Sequence, residues 1–195
     1  MGLDYSYEII TPARNVSRAL AELAKLAPEG RRVPPLMVTL PGGEQVVVPF
    51  TSHFDSEPVD CSSGNRLELD TSITFGVDDA VRAYCEDSRT ECDEFGRVAL
   101  GYIYLTVTFA PERHPDFASL VFTAATSRMS RLFERSASVR ATFTGLTVAS
   151  GGVACLLDTE TDTVEVCWLN GRPSQETVPS SYLAGYDDFV ARWRG

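Results

Sequence analysis

The stretch DFASLVFTAATSRMSRLFERSASVRATFTGLTVAS, residues 116–150, decides how the second half of the chain folds. Phe117, Val121, Ala125, Met129 and Leu132 recur four or three residues apart, and Leu120 and Phe133 flank the same stripe. That spacing puts them on one side of an α-helix. The reading is therefore a helix over 116–136, followed by a strand over Val139–Val148. Leu120-Val121-Phe122-Thr123 keeps a strand alternative open, because aromatic and β-branched side chains suit a pleated surface.

Working outward, residues 98–109 read as a strong strand before this stretch. Val153–Leu157 and Val164–Leu169 read as a hairpin after it, turning at Thr159-Glu160-Thr161-Asp162, and a helix closes the chain from about Ser181 to Arg192. The first half shows the same order. Residues 3–10 read as a strand. Thr11-Pro12 suits a helix start, with Val16, Leu20, Leu23 and Ala27 at helical spacing. Leu36–Leu40 and Gln45–Phe50 flank Pro41-Gly42-Gly43-Glu44 as a hairpin. Leu67, Leu69, Thr71, Ile73 and Phe75 alternate as a half-buried strand does. A short helix then runs from Gly76-Val77-Asp78-Asp79 to about Cys85.

Strand, helix, three strands, helix is thus written twice. Gly76 to Tyr84 and Gly185 to Trp193 echo each other most closely, both opening on a glycine and two aspartates. The expected fold is α+β: two similar β-α-β-β-β-α units, with mostly antiparallel sheets and helices packed on one face. The units span 1–88 and 98–195, joined by an acidic linker at 89–97, and duplication would make them one compact domain.

This element order resembles the vicinal oxygen chelate superfamily, whose paired modules curve around a cleft. In that family His, Glu or Gln on the first and last strands of each module hold a metal. Here Glu8, Glu68, Asp70 and Glu165 fall on the corresponding strands, but no strand carries a histidine and 98–109 offers no ligand. The resemblance implies a metal-free binding relative, or a small-molecule enzyme as the alternative.

The 195 residues carry a net charge of −10, with 44% hydrophobic residues. Such a chain is repelled by phosphate backbones and anionic membranes, so nucleic-acid and membrane partners are not expected. No apolar run approaches the roughly 20 residues of a membrane helix. The N-terminus lacks a basic start and apolar stretch, so the expected location is the cytoplasm. All but one of the 17 basic residues are arginine, the exception being Lys25. That bias is the kind a GC-rich bacterial genome imposes. The five cysteines, Cys61, Cys85, Cys92, Cys155 and Cys167, include no CxxC pair and fit free thiols better than a disulfide framework.

No phosphate-loop, nucleophile-elbow or HExxH pattern is present. No catalytic residue, cofactor or metal set is therefore named. The candidate ligand-binding residues come from two places. The long loop Thr51 to Asn65 gathers His53, Asp55 and Asp60. Tyr5 and Tyr7 share one strand face, as do Tyr102 and Tyr104, and a duplicated fold would bring all four phenols to one cleft. Arg128, Arg131 and Arg135 form a basic stripe for a carboxylate-rich partner. Cys155 and Cys167 fall opposite each other if the hairpin centres on Thr161, as a redox pair or as two small apolar residues.

The leading reading is a non-catalytic module that binds a small molecule or a protein, with a homodimer among the arrangements considered. An immunity- or inhibitor-type protein antagonist is the third class.

Overall fold

The computed structural model describes residues 2–29, 33–86 and 92–194. Its frame is an eight-stranded sheet. β1 (Ser6–Pro12) lies inside it, paired to β9 (Phe117–Ala124) on one side and β10 (Ala154–Asp158) on the other. β8 (Ile103–Phe109) and β5 (Arg66–Thr71) extend the sheet beyond β9. β11 (Thr163–Leu169) extends it beyond β10, and both β12 (Arg172–Pro173) and β13 (Thr177–Pro179) pair with β11. Every pairing in this sheet is antiparallel. Smaller pieces complete the β structure. β2 (Leu36–Thr39) pairs with β3 (Gln45–Val48) and, in parallel, with β4 (Val59–Asp60), while β6 (Thr74–Gly76) pairs with β7 (Arg97–Ala99).

The register sorts the side chains by face, because successive residues of a strand point to opposite sides. Tyr7 and Ile9 of β1, Leu120 and Phe122 of β9, and Leu105 and Val107 of β8 enter the main core. That core is closed by α1 (Val16–Ala24), α3 (Ser127–Arg135) and α4 (Ala137–Ser150). Ile10, Leu156, Val164 and Val166 point the other way. They form a second core with Tyr186, Phe189 and Val190 of α5 (Tyr186–Ala191), and Trp193 just beyond it. α2 (Asp79–Glu86) lies against α3.

The mixed α and β content and the antiparallel sheets are as expected. Three expectations need correction. Helices cover both faces of the sheet, since α5 packs opposite α1, α3 and α4. The two halves do not share an order of elements, and their strands interleave in a single sheet, so the expected repeat of one unit is not reproduced. Lastly, residues 116–150 fold as strand, helix, helix instead of helix, strand. The expected linker at 89–97 falls partly outside the described residues.

The physical reasons are local. Phe117–Ala124 is apolar at both periods, and it is buried or half-buried on both faces between β1 and β8. A strand flanked on both edges and covered on both faces needs no polar alternation. Helix α3 starts only at Thr126, whose side chain accepts from the Met129 N–H at 3.2 Å. In α4 the threonine hydroxyls are satisfied by bonding back along the helix instead of competing with it. Thr142 donates to the Ser138 carbonyl, Thr144 to that of Arg140 and Thr147 to that of Phe143, at 3.0, 3.0 and 2.8 Å. Gly151, at φ 70°, ends α4 in the left-handed conformation that favours glycine.

Candidate functional site

The α3–α4 corner stands over the outer strands of the sheet, and between them lies a cleft of about 780 Å³. Asp78, just before α2, holds the corner in place. Its carboxylate accepts from the Ser136 hydroxyl at 2.8 Å and the Ser138 N–H at 2.9 Å, and also from the Val81 N–H at 2.8 Å. Partial burial works to raise the Asp78 carboxyl, but these donors outweigh it and hold it below the ordinary aspartate range. Asp78 thus satisfies the start of α4 as well as that of α2.

The floor of the cleft is set by an irregularity in the β10–β11 ladder. Cys155 pairs with Trp168, yet the next residue, Leu156, pairs with Val166. Cys167 is therefore one residue in excess, a β-bulge, and Cys167 and Trp168 both turn toward the helix side. The far wall is Pro173 to Gln175, brought alongside by a tight turn at Asn170 and Gly171, both with positive φ.

From α4, Arg140 reaches across to Glu165 of β11 with both terminal nitrogens, Nη2 standing 2.9 Å from Oε2. Both side chains are about one third exposed. The Arg140 guanidinium holds the Glu165 carboxyl below its ordinary range despite the cost of burial. Arg140 also lies beside Cys167. The Cys167 thiol donates to the Glu165 carbonyl at 3.9 Å, and Cys155 lies close enough for the two thiols to influence each other's ionisation. Burial and the neighbouring Cys167 push the Cys155 thiol well up, whereas the adjacent Cys155 and Arg140 bring Cys167 down against its own burial.

The expected basic stripe borders this cleft. Arg135 lines it, and with Arg128 and Arg131 it also lines an adjoining hollow of about 300 Å³ against α2. Arg128 stacks on Tyr84 at 4.7 Å and donates to its carbonyl at 2.7 Å. Four guanidiniums, Arg128, Arg131, Arg135 and Arg140, thus follow one surface of a chain whose net charge is −10.

The other expected residues separate. Tyr7 is fully buried on the helix side, stacked on Phe143 with centroids 4.4 Å apart, and its hydroxyl donates to the Phe133 carbonyl at 3.0 Å. Tyr5 is half-buried and its N–H donates to Ser130 Oγ. Tyr102 and Tyr104 lie on the opposite face and are 45% and 42% exposed. The four phenols therefore share no cleft. Side-chain alternation separates them once the two strands belong to one sheet.

Tyr102 and Tyr104 instead meet the long loop. His53 and Phe54 form the two central residues of a tight turn closed by Ser52 and Asp55, with φ of 50° and 59°. Both occupy the left-handed region that side chains disfavour. Asp70 holds the turn, its carboxylate accepting from the Phe54 N–H and the Thr51 hydroxyl. Phe54 then lies edge-on to Tyr102 at 5.3 Å and to Tyr104 at 6.5 Å. His53 Nε2 is 3.6 Å from Glu68 beside a hollow of about 340 Å³. Asp55 and Asp60 do not join it. Their carboxylates accept from N–H groups of their own loop, those of Ser56, Glu57 and Ser62. Among the described residues no group of three or more His, Cys, Asp or Glu is placed to hold a metal ion, and no helix is long and apolar enough to cross a membrane.

No family model, curated protein or solved structure matches this chain.

Arg140, Glu165 and Trp168 were not singled out as a site by sequence reasoning. Their convergence depends on α4 being a helix. The signal was present, since Val139, Phe143, Leu146, Thr147 and Ser150 are buried at helical spacing.

Proposed function

We propose that the protein is a non-catalytic binding module for a small organic anion with a flat apolar part. The observation that carries the reading is the 780 Å³ cleft, which joins the half-buried face of Trp168 to a guanidinium-lined rim. A concave site with an aromatic wall and a few charged groups is the usual form of a small-molecule site. Glu134 also lines the cleft and Arg140 is held by Glu165, so the preference for an anion comes from Arg135 with Arg128 and Arg131 continuing the basic stripe beside it. With Arg140 committed to Glu165, the rim arginine left to meet the ligand's charge is Arg135, while Trp168 takes its flat part.

Anilinonaphthalene sulfonate, which has both features, tests this. Saturable binding at one site per chain is expected, with loss of that site in Ala141→Phe, which fills the cleft from an exposed helix position. Equal binding by Ala141→Phe would overturn the assignment.

A second reading, contact with another protein or a second copy, is favoured by the exposed aromatic group of Phe54, Tyr102 and Tyr104 on its strained turn. Sedimentation of the wild type and Phe54→Asp tests the second-copy case. A dimer dissociated by the substitution supports it, and a wild-type monomer at high concentration removes it.

A further inference from the structure

We infer that Cys155 and Cys167 form a reversible dithiol–disulfide couple at the floor of the cleft, oxidised by a small hydroperoxide that enters beside Arg140. The couple needs only entry of the oxidant and stands whether or not an organic anion binds there.

Three features of the geometry support it. First, the β-bulge seats Cys167 as the extra residue beside Cys155, with both side chains on the helix side. Cys167 adjoins Trp168, the register partner of Cys155, so the bulge makes the two cysteines near cross-strand neighbours on one face, the arrangement a disulfide needs. Second, only one of the two thiols meets the cleft. Both cysteines are buried, Cys167 at 4% and Cys155 at 0% exposure, but Cys167 lines the cleft, whereas Cys155 lies behind it. Third, Arg140 lines the cleft beside Cys167 and favours its thiolate. A thiolate beside a cation and next to a resolving thiol is the arrangement redox-active cysteines share.

The chemistry balances in two steps. The Cys167 thiolate attacks the terminal oxygen of the hydroperoxide, the O–O bond breaks, and the leaving oxygen takes a proton as an alcohol. Cys167 is left as a sulfenic acid, oxidised by two electrons while the peroxide is reduced by two. The Cys155 thiol then gives up its proton and attacks the Cys167 sulfur. The S–S bond forms, the S–O bond breaks, and hydroxide leaves with that proton as water. In sum, two thiols and one hydroperoxide give a disulfide, an alcohol and water. A small external thiol reverses the couple by exchange.

Treatment of the wild-type chain with one equivalent of methyl hydroperoxide, followed by peptide mapping, is the test. The expected product is a Cys155–Cys167 linkage with loss of two hydrogens, restored by dithiothreitol. In Cys155→Ser, dimedone should trap a sulfenic acid on Cys167 about ten-fold faster than on Cys61, which is buried with its thiol pushed up by burial. In Cys167→Ser, Cys155 should stay unmodified. A chain whose Cys155 and Cys167 remain reduced while other cysteines oxidise would overturn the inference. The wild-type mapping decides this even if a serine variant fails to fold. Retained dye binding in that case would leave the binding reading intact.

Discussion

Arg140 of α4, which lines the cleft, and Glu165 of β11 form a two-pronged ion pair that joins the helix layer to the outer sheet. The pair fixes the height of one cleft wall over the other. Because Arg140 holds the Glu165 carboxyl low, its contribution is fully present above the unfolded-state pKa of about 4.3 and fades as pH falls through the lower folded value. Glu165→Gln should therefore cost about 1 kcal/mol at neutral pH, allowing for solvent screening. The difference from wild type should shrink below about pH 4. Urea midpoints of both proteins across pH measure this.

Glu8 should show the opposite sign. Its carboxyl, half-buried under α5, is pushed up by burial and by Asp158, against the opposing hydrogen bond from the Ser119 hydroxyl. A carboxyl raised in the folded state favours folding most at low pH and loses that advantage as pH rises through the folded value. Glu8→Gln, which keeps the neutral form, should match wild type near pH 4 and become more stable than it as pH rises. The same urea series checks this, and no pH-dependent gap would contradict the burial argument.

The strained turn gives a stabilising prediction. Replacing His53 and Phe54 by Asn and Gly supplies the pair that such a turn prefers, and Asp70 still accepts from the backbone N–H. The gain should be about 1 kcal/mol, read as a higher urea midpoint. A loss would mean that the Phe54 contacts with Tyr102 and Tyr104 outweigh the strain.

Close packing at the end of α4 predicts a loss. A Cβ on Gly152 would meet Thr147 Cγ2 at 2.9 Å and the Ile10 carbonyl at 3.0 Å. Gly152→Ala should cost about 1–3 kcal/mol by overpacking, measured by thermal or urea unfolding.

Much of the fold can be read from local pattern. The hairpins at 36–50 and 153–169 alternate around turn residues, and the structure places them there. Phe117–Ala124 could not be assigned from periodicity, because a run that is apolar at nearly every position satisfies periods of 3.6 and 2 together. Only its place between two strands decides. α4 reads as a strand for the opposite reason: its threonines and valines suit strands, and the back-bonding of Thr142 and Thr147 exists only within the helix. The candidate site is legible only in part. Phe54, not His53, meets Tyr102 and Tyr104, Tyr7 is core, and Asp55 and Asp60 serve their own turns. The bulge at Cys167 has no local signature, so the Arg140, Glu165 and Trp168 wall emerged only from the pairing of distant strands.

The most direct test of the binding cleft uses its own tryptophan. Trp193 sits in the second core under α5, so Trp193→Phe leaves Trp168 as the only tryptophan in the chain. Anilinonaphthalene sulfonate titrated into that variant should quench Trp168 emission saturably, with affinity falling about ten-fold when Arg135 is also changed to Glu. Quenching that is linear in dye, or that survives Arg135→Glu unchanged, would contradict an anion site in the cleft.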